Sequence, residues 1–379
     1  MCAHGPPNVS VRETIHFLPG RARVPCPSMD ALDEVLPTVA ARLPRLRLGV
    51  WPTPVEPLAV GGEVFVKRED LSSPLYGGNK VRCLEPVLGD LQARGVRHIW
   101  ATGAWGSNQA LAHAVHGGRM GFECGALLFP QPPSPSAAAN LAALASLPVA
   151  LRLCRSIAGF PLGYLQLRRS GATPIAPGAA TPRGALGHLA AGLEVALAIH
   201  AGTLPPIRHV VVPVGSTCTT AGLLLGFAVA ARLGVGLTEA PHVHAIRVTP
   251  WPVTAPFRIL GLARRAAGLL AALGGPEIAD DALAMRLHVD GRWLGRGYGH
   301  ATPAGEAARD QFAAVGGPKL DTTYSAKAAA FLLNSDGKLD GPTLFWSTKS
   351  RALPPATEAG LARLPARAQR WITRGRCGG

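Results

Sequence analysis

The chain comprises 379 residues, 47% of them apolar, with a formal charge of +15 that is mostly arginine. That length fits two domains of ~100–200 residues with ample core, and no apolar run reaches the ~18 residues of a membrane span. A basic balance can attract nucleic acid, but no recognition motif with interleaved aromatics is present, so a small anionic ligand is the more economical partner. Residues 1–12 lack the basic start and apolar block of a secretory signal, so the expected compartment is the cytoplasm. Residues 1–45 read as an extended lead-in rich in proline and arginine, with one short helix over 29–43. A strand over 63–66 places Val64 and Val66 on one face, and a turn-rich stretch over 71–78 follows. Lys80 opens a helix whose Leu84, Val87, Leu88 and Leu91 share a buried face, with a kink expected at Pro86. A strand over 98–102 runs through Gly103-Ala104-Trp105-Gly106-Ser107-Asn108 into a helix over 109–116, and a strand over 126–129 comes next. Strand, glycine turn, helix, strand is the grammar of a parallel sheet. A loop over 130–136 precedes an amphipathic helix marked by Leu186, Leu189, Leu193, Ala196 and Leu197. Val210-Val211-Val212 is a buried-type strand leading into a helix over 221–233. On the next strand, over 242–248, His242 and His244 alternate as ordinary strand residues. A helix over 325–333, a strand over 343–346 and an arginine-rich tail or terminal helix (Arg363, Arg367, Arg370, Arg374, Arg376) complete an α/β chain without internal repeats.

Seven cysteines (Cys2, Cys26, Cys83, Cys124, Cys154, Cys218 and Cys377) form no CxxC pair and no metal-ligand spacing. A reducing compartment fits, and no metal is expected. In α/β sheets ligands bind at the carboxyl ends of strands. The turn over 215–222 brings hydroxyls and backbone N–H groups to a helix N-terminus, where a phosphate is favoured. It is neither a Walker loop nor GxGxxG, and alone it could simply connect a strand to a helix. Lys80, in Gly77-Gly78-Asn79-Lys80, is one of few lysines, the others being Lys67, Lys319, Lys327, Lys338 and Lys349. A lysine amine forms a Schiff base with an aldehyde and arginine does not. From local sequence alone, a solvated lysine at a helix start is the simpler reading.

Longer motifs change that balance. Val66-Lys67-Arg68-Glu69-Asp70-Leu71 followed by Tyr76-Gly77-Gly78-Asn79-Lys80-Val81-Arg82 resembles the cofactor-lysine segment of one group of pyridoxal-phosphate (PLP) enzymes. That group is the 1-aminocyclopropane-1-carboxylate (ACC) deaminase and D-cysteine desulfhydrase family, of the tryptophan-synthase-β fold. The likeness continues in order through Gly106-Ser107-Asn108-Gln109, Gly184-Ala185-Leu186-Gly187 and the 215–223 turn. It then runs through Gly297-Tyr298-Gly299, Thr302-Pro303-Ala304-Gly305-Glu306 and the 320–327 segment, covering roughly residues 60–350.

The resemblance implies two open, twisted, mostly parallel α/β domains with PLP in the cleft between them. The expected division is 1–82 and 185–379 for the large domain, the latter with the basic tail, and 83–184 for the small one. Lys80 would hold PLP, and Asn108 would hydrogen-bond its phenolic oxygen. Ser107, Asn108 and Gln109 would receive the substrate carboxylate. Gly215, Ser216, Thr217, Cys218 and Thr219 would hold the phosphate. Tyr298 and Tyr324 would flank the substrate, Tyr324 in the longer motif. At the ring nitrogen, Ser325 and Thr348 form a hydroxyl pair like that of D-cysteine desulfhydrases, where ACC deaminases carry an acidic and an apolar residue. A neutral hydroxyl makes a weaker electron sink than a carboxylate, which points to β-elimination. Gln109 pulls toward ACC deaminases instead.

The chain also departs from the pattern. Thr217 and Cys218 stand where glycine is usual, and threonine takes positive φ only at a cost. Cys83 replaces a lysine near the phosphate, and Lys349 is a candidate to restore that charge from another strand. The expected activity is a PLP-dependent lyase or deaminase, releasing a 2-oxo acid and ammonia from a small amino acid. The alternatives are a weakened or non-catalytic PLP-binding member, a β-replacement enzyme and a racemase. A homodimer is common in folds like this; no nucleic-acid or membrane partner is expected.

Overall fold

Short runs of apolar and β-branched residues assemble into two separate sheets in this computed structural model, which describes residues 30–335 and 339–377. Of the lead-in expected over 1–45, residues 1–29 lie outside the described residues. Helices α1 (Ala31–Val35) and α2 (Pro37–Arg42) replace the single helix expected over 29–43. Pro37 cannot donate an N–H to continue α1, and its fixed φ suits the first turn of α2 instead. Strands β1 (Val55–Pro57) and β2 (Val64–Arg68) pair antiparallel. There follow α3 (Lys80–Ala93), β3 (His98–Ala104), α4 (Asn108–Arg119), β4 (Glu123–Phe129), α5 (Pro135–Ala145), β5 (Ala150–Leu153), α6 (Phe160–Arg169) and β6 (Thr173–Ile175). Next come α7 (Pro182–His200), β7 (His209–Val214), α8 (Cys218–Leu233), β8 (His242–Arg247), α9 (Pro256–Ala272), α10 (Asp280–Ala284) and β9 (Leu287–Asp290). The chain closes with α11 (Pro303–Ala314), α12 (Ser325–Leu333), β10 (Thr343–Ser347), α13 (Glu358–Ala362) and α14 (Ala366–Arg376).

One sheet, ordered β5-β4-β3-β6, is parallel throughout. The other, ordered β1-β2-β10-β7-β8-β9, is parallel except at β1. This is the mostly parallel α/β architecture expected from the sequence. Strand β7 is buried along its whole length because β10 and β8 pair with its edges and α8 and α12 pack on it. Phe345 of β10 meets Phe312 of α11 edge-on at 5.0 Å, and Trp346 beside it is fully buried. No helix among the described residues is long and apolar enough to cross a membrane.

Glycines set how closely the helices behind the large sheet approach. A Cβ at Gly222 or Gly226 of α8 would lie 2.3 Å from Ala185 O or 2.5 Å from Leu189 O of α7. Helix α3 runs on through Pro86 to Ala93. Pro86 leaves the Arg82 carbonyl without its intrahelical partner, and Gly187 of α7 packs onto that carbonyl, where a Cβ would sit 2.0 Å away. The proline and the glycine thus answer one another across the α3–α7 contact.

The arginine-rich end folds back onto helix α5, beside the four-stranded sheet. Trp371 of α14 stands edge-on to Trp105 at 5.6 Å and donates its indole N–H to Gln131 O at 2.7 Å. Arg363 donates to the carbonyls of Leu147 and Val149, and Arg367 to that of Leu153. These arginines satisfy carbonyls beside the edge strand β5.

Candidate active site

The carboxyl ends of β3, β4, β6, β7, β8 and β10 open toward one cavity of about 520 Å³. Lys80, Ser107, Asn108, Gln109, Gly215, Ser216, Thr217, Thr219, Tyr298, Tyr324 and Thr348 all line it. Cys218 and Ser325 are the exceptions among the candidate residues. The Cys218 side chain is buried behind its turn, with Sγ donating to Ala179 O at 3.3 Å.

Lys80 is the first residue of α3, reached by a loop that only glycine permits. Gly78 has φ +87°, and a Cβ there would lie 2.6 Å from Thr348 O at the end of β10. Beneath this junction lies a buried ion network. Arg82 donates to Glu69 and Glu194, both at 2.7 Å, and Lys67 donates to Glu194 at 2.7 Å. The network ties β2, the turn after it, α3 and α7 together. Burial pushes the Glu194 carboxyl upward, but Arg82 and Lys67 beside it hold it below its ordinary value. Burial likewise lowers the Lys67 ammonium.

The turn after β7 delivers the free N–H groups of α8. Thr217 takes the left-handed conformation there, at φ 69° and ψ −26°. So the turn does adopt the backbone for which glycine is usual, and a β-branched residue bears it. Asn79 Nδ2 donates to Thr219 Oγ1 at 2.8 Å, and His188 Nε2 lies 3.2 Å from the same hydroxyl. Behind the turn, Cys83, Cys218 and His188 bring two sulfurs and a ring nitrogen within 4.8 Å of one another. Burial lowers the His188 imidazole. Burial is the largest influence on the Cys83 thiol and pushes it up, yet hydrogen bonding to Cys218 and His188 together with the Lys80 and His188 charges leaves the thiol well below its usual value. No spacing in the chain announces this cluster, because its members come from three separate helices.

At the other end Ser107 caps α4, accepting from Ala110 N at 3.3 Å. Asn108 Oδ1 accepts from Asn140 Nδ2 at 2.7 Å, from Tyr76 OH at 2.9 Å and from Lys349 Nζ at 2.9 Å. Three donors on one oxygen fix the amide, so Asn108 Nδ2 remains as the donor for the cavity. Lys349 also donates to Asn140 Oδ1 at 2.9 Å, and burial lowers its ammonium to about 8. It serves Asn108 and Asn140 rather than the turn after β7, contrary to its expected role there. Gln109 Nε2 is buried without a partner among the described residues, on the cavity wall.

Tyr298 OH and Tyr324 OH stand 2.5 Å apart. Burial raises Tyr298 to about 12 and Tyr324 well above its ordinary value, so both remain protonated at neutral pH. Asp321 accepts from Tyr324 N at 2.7 Å and from Ser325 Oγ at 2.9 Å. The Ser325 hydroxyl is therefore engaged by Asp321. Of the expected hydroxyl pair, Thr348 alone lines the cavity.

Among the described residues the lining contains no carboxylate. Two helix N-termini, the orphaned Gln109 amide and the Lys80 amine instead form a donor set suited to a phosphorylated, anionic cofactor and a carboxylate substrate. Sequence reasoning missed Tyr76, Asn79 and Asn140 as polar supports of this wall. The one signal for Asn140 is a lone amide within the alanine-rich stretch of α5.

Comparison with known proteins gives concordant findings. A family model described as pyridoxal-phosphate dependent enzyme matches residues 46–348. Nocardicin C-9' epimerase of Nocardia uniformis subsp. tsuyamanensis is 36% identical over 321 residues, 81% of this chain and 93% of that one. D-cysteine desulfhydrase of Salmonella choleraesuis (strain SC-B67) is 30% identical over 332 residues, 81% of this chain and 94% of that one. Among solved structures, an ACC deaminase homologue superposes with a TM-score of 0.68 at 25% identity, over 84% of this chain and 94% of that one.

Proposed function

Because the chain belongs to the family of pyridoxal-phosphate dependent enzymes, we propose that it is a lyase acting on a small amino acid by β-elimination. The products would be a 2-oxo acid, ammonia and the departing β-group, as the similarity to D-cysteine desulfhydrase suggests. The carrying observation is the meeting, in one cavity, of a lysine amine, two helix N-termini and a protonated tyrosine pair.

Bound there, PLP would supply an electron sink for the negative charge left at Cα when its proton departs. The residues have separable tasks. Lys80 would carry the cofactor and, once released by the substrate amine, take the Cα proton. Ser216, Thr217 and Thr219, with the Gly215 and Cys218 backbone, would hold the phosphate at the start of α8. Asn108 Nδ2 would donate to the cofactor's phenolic oxygen. Ser107, Asn108 and Gln109 would hold the substrate carboxylate at the start of α4. Thr348 would meet the ring nitrogen as a neutral hydroxyl. Tyr324, with Tyr298 behind it, would donate a proton to the leaving group. The cleft lies between the two sheets, for which 83–184 remains our proposed small domain.

The test is the visible spectrum of the protein with PLP, for wild type and Lys80→Ala, followed by 2-oxo acid and sulfide release from D-cysteine. A visible band lost in the variant, together with product in wild type, is expected. A full complement of PLP with no product from any amino acid would favour the non-catalytic reading. A second reading is epimerisation at Cα, favoured by the 36% identity to an epimerase and by the tyrosine pair as a second proton-handling group beside Lys80. Exchange of the Cα hydrogen for deuterium without 2-oxo acid release would select it.

A further inference from the structure

The cavity has a buried polar floor and an exposed rim, and the rim is unlike the floor. Ile157, 66% exposed and following β5, and Val253, 43% exposed and following β8, contribute apolar side chains from segments of the two different sheets. Arg296 lines the same cavity, an exposed arginine with no ion-pair partner among the described residues. Both anions of a minimal reaction already have receptors. The start of α8 suits the cofactor phosphate and the start of α4 suits the amino acid's carboxylate, so Arg296 is left without a task. A guanidinium on the wall of a substrate pocket is suited to a planar, bidentate anion.

Arg296 is also held in place. It lies in the strap Gly295-Arg296-Gly297-Tyr298-Gly299, whose glycines have φ values of +62°, +127° and +83°. The buried Lys327 ammonium pins the strap by donating to Leu294 O at 2.9 Å and Gly297 O at 3.1 Å. The Tyr298–Tyr324 contact anchors its middle, and Gly299 packs against Pro132 across the cleft, where a Cβ would lie 3.2 Å from the proline ring. The strap that carries Tyr298 into the cavity therefore presents Arg296 at the rim.

We infer that Arg296 reads a second anionic group on the substrate, carried at the far end of the β-substituent. The substrate class is an amino acid whose side chain has an apolar stem, covered by Ile157 and Val253, and ends in a carboxylate, sulfonate or phosphate. This inference rests on the lyase reading and narrows its substrate. Cysteine itself has a neutral side chain with nothing for Arg296 to pair with.

The test uses the PLP-loaded full chain and two probes of nearly equal shape, S-carboxymethylcysteine and S-carbamoylmethylcysteine, in both enantiomers. Dissociation constants are read from the change in the cofactor's visible absorption. Wild type should bind the carboxylate roughly tenfold or more tightly than the amide. Arg296→Met should bring that ratio to about one, and Arg296→Lys should keep part of it. Equal affinities in wild type, or a preference that survives Arg296→Met, would overturn the inference while leaving the lyase reading intact. Absence of any spectral response, cysteine included, would overturn both.

Discussion

Replacing Thr217 separates the backbone of the turn after β7 from its side chain. At φ 69° and ψ −26° this residue occupies the left-handed region, which costs a residue with a Cβ roughly 1–2 kcal/mol. Thr217→Gly removes that strain but also removes the γ atoms from a buried position, so the informative comparison is with Thr217→Ala. Both variants lose the hydroxyl and the methyl; only alanine keeps the Cβ that left-handed backbone disfavours. Glycine also gains freedom in the unfolded chain, worth ~0.4–1 kcal/mol against it, yet at positive φ the native-state strain is the larger effect. The expected net advantage of glycine over alanine is about 1 kcal/mol, about fivefold in the folding equilibrium. Urea unfolding of the cofactor-free protein measures it directly. PLP affinity is the second readout, because strain adopted only when the phosphate binds would appear there instead. If alanine equals or exceeds glycine in both stability and PLP affinity, the argument that Thr217 strains this turn is wrong.

Lys349→Met should lower kcat/KM about tenfold near neutrality by loosening the Asn108 amide and taking from Asn140 Oδ1 its 2.9 Å donor, in line with the ~1–3 kcal/mol cost of an unmet buried polar group. Burial lowers this ammonium from 10.5 to about 8, so wild type should lose activity as pH rises through about 8. The variant should lack that basic limb, and a limb that persists would assign it to another group. Glu194→Ala strands Lys67, leaves Arg82 with the Glu69 carboxylate alone and should cost ~3–5 kcal/mol in denaturant unfolding, with Glu194→Gln losing less. The Glu194 carboxyl is held below its ordinary 4.5. Its contribution is therefore complete above that pH and declines as pH falls through the lower folded value, a dependence that Glu194→Gln should flatten. Tyr324→Phe should reduce turnover about 10²-fold if the hydroxyl delivers a proton. A weaker effect on D-cysteine than on substrates with poorer leaving groups would support that role.

Much of the site was legible because its features are local in the chain. A lysine directly after glycines and before a helical pattern, and hydroxyls between a valine run and a helix, are short-range arrangements. Their chemistry follows from helix ends and strand ends. The order of these motifs was enough to place Lys80, Asn108, Thr217, Tyr298 and Tyr324 around one cavity. The expected strands at 98–102, 210–212 and 343–346 were likewise readable, since a buried strand needs little more than a short apolar run bounded by turns.

What the chain could not disclose depends on partners distant in sequence. Lys349 reaches an amide 241 residues away, and its duty follows from the adjacency of β10 to the Lys80 loop, which no spacing records. Ser325 looked equivalent to Thr348 until Asp321 claimed its hydroxyl. Cys83, His188 and Cys218 converge only because α3, α7 and α8 pack closely at glycine faces. The arginines of the last helix, ambiguous as a basic tail, find the carbonyls beside β5 only after the chain has folded back. Periodicity and turn chemistry are written residue by residue, so the sequence by itself determined the α/β class and the ends of strands where chemistry sits. Donor and acceptor pairing inside a buried wall depends on which backbones cross, and the tertiary structure alone decided that.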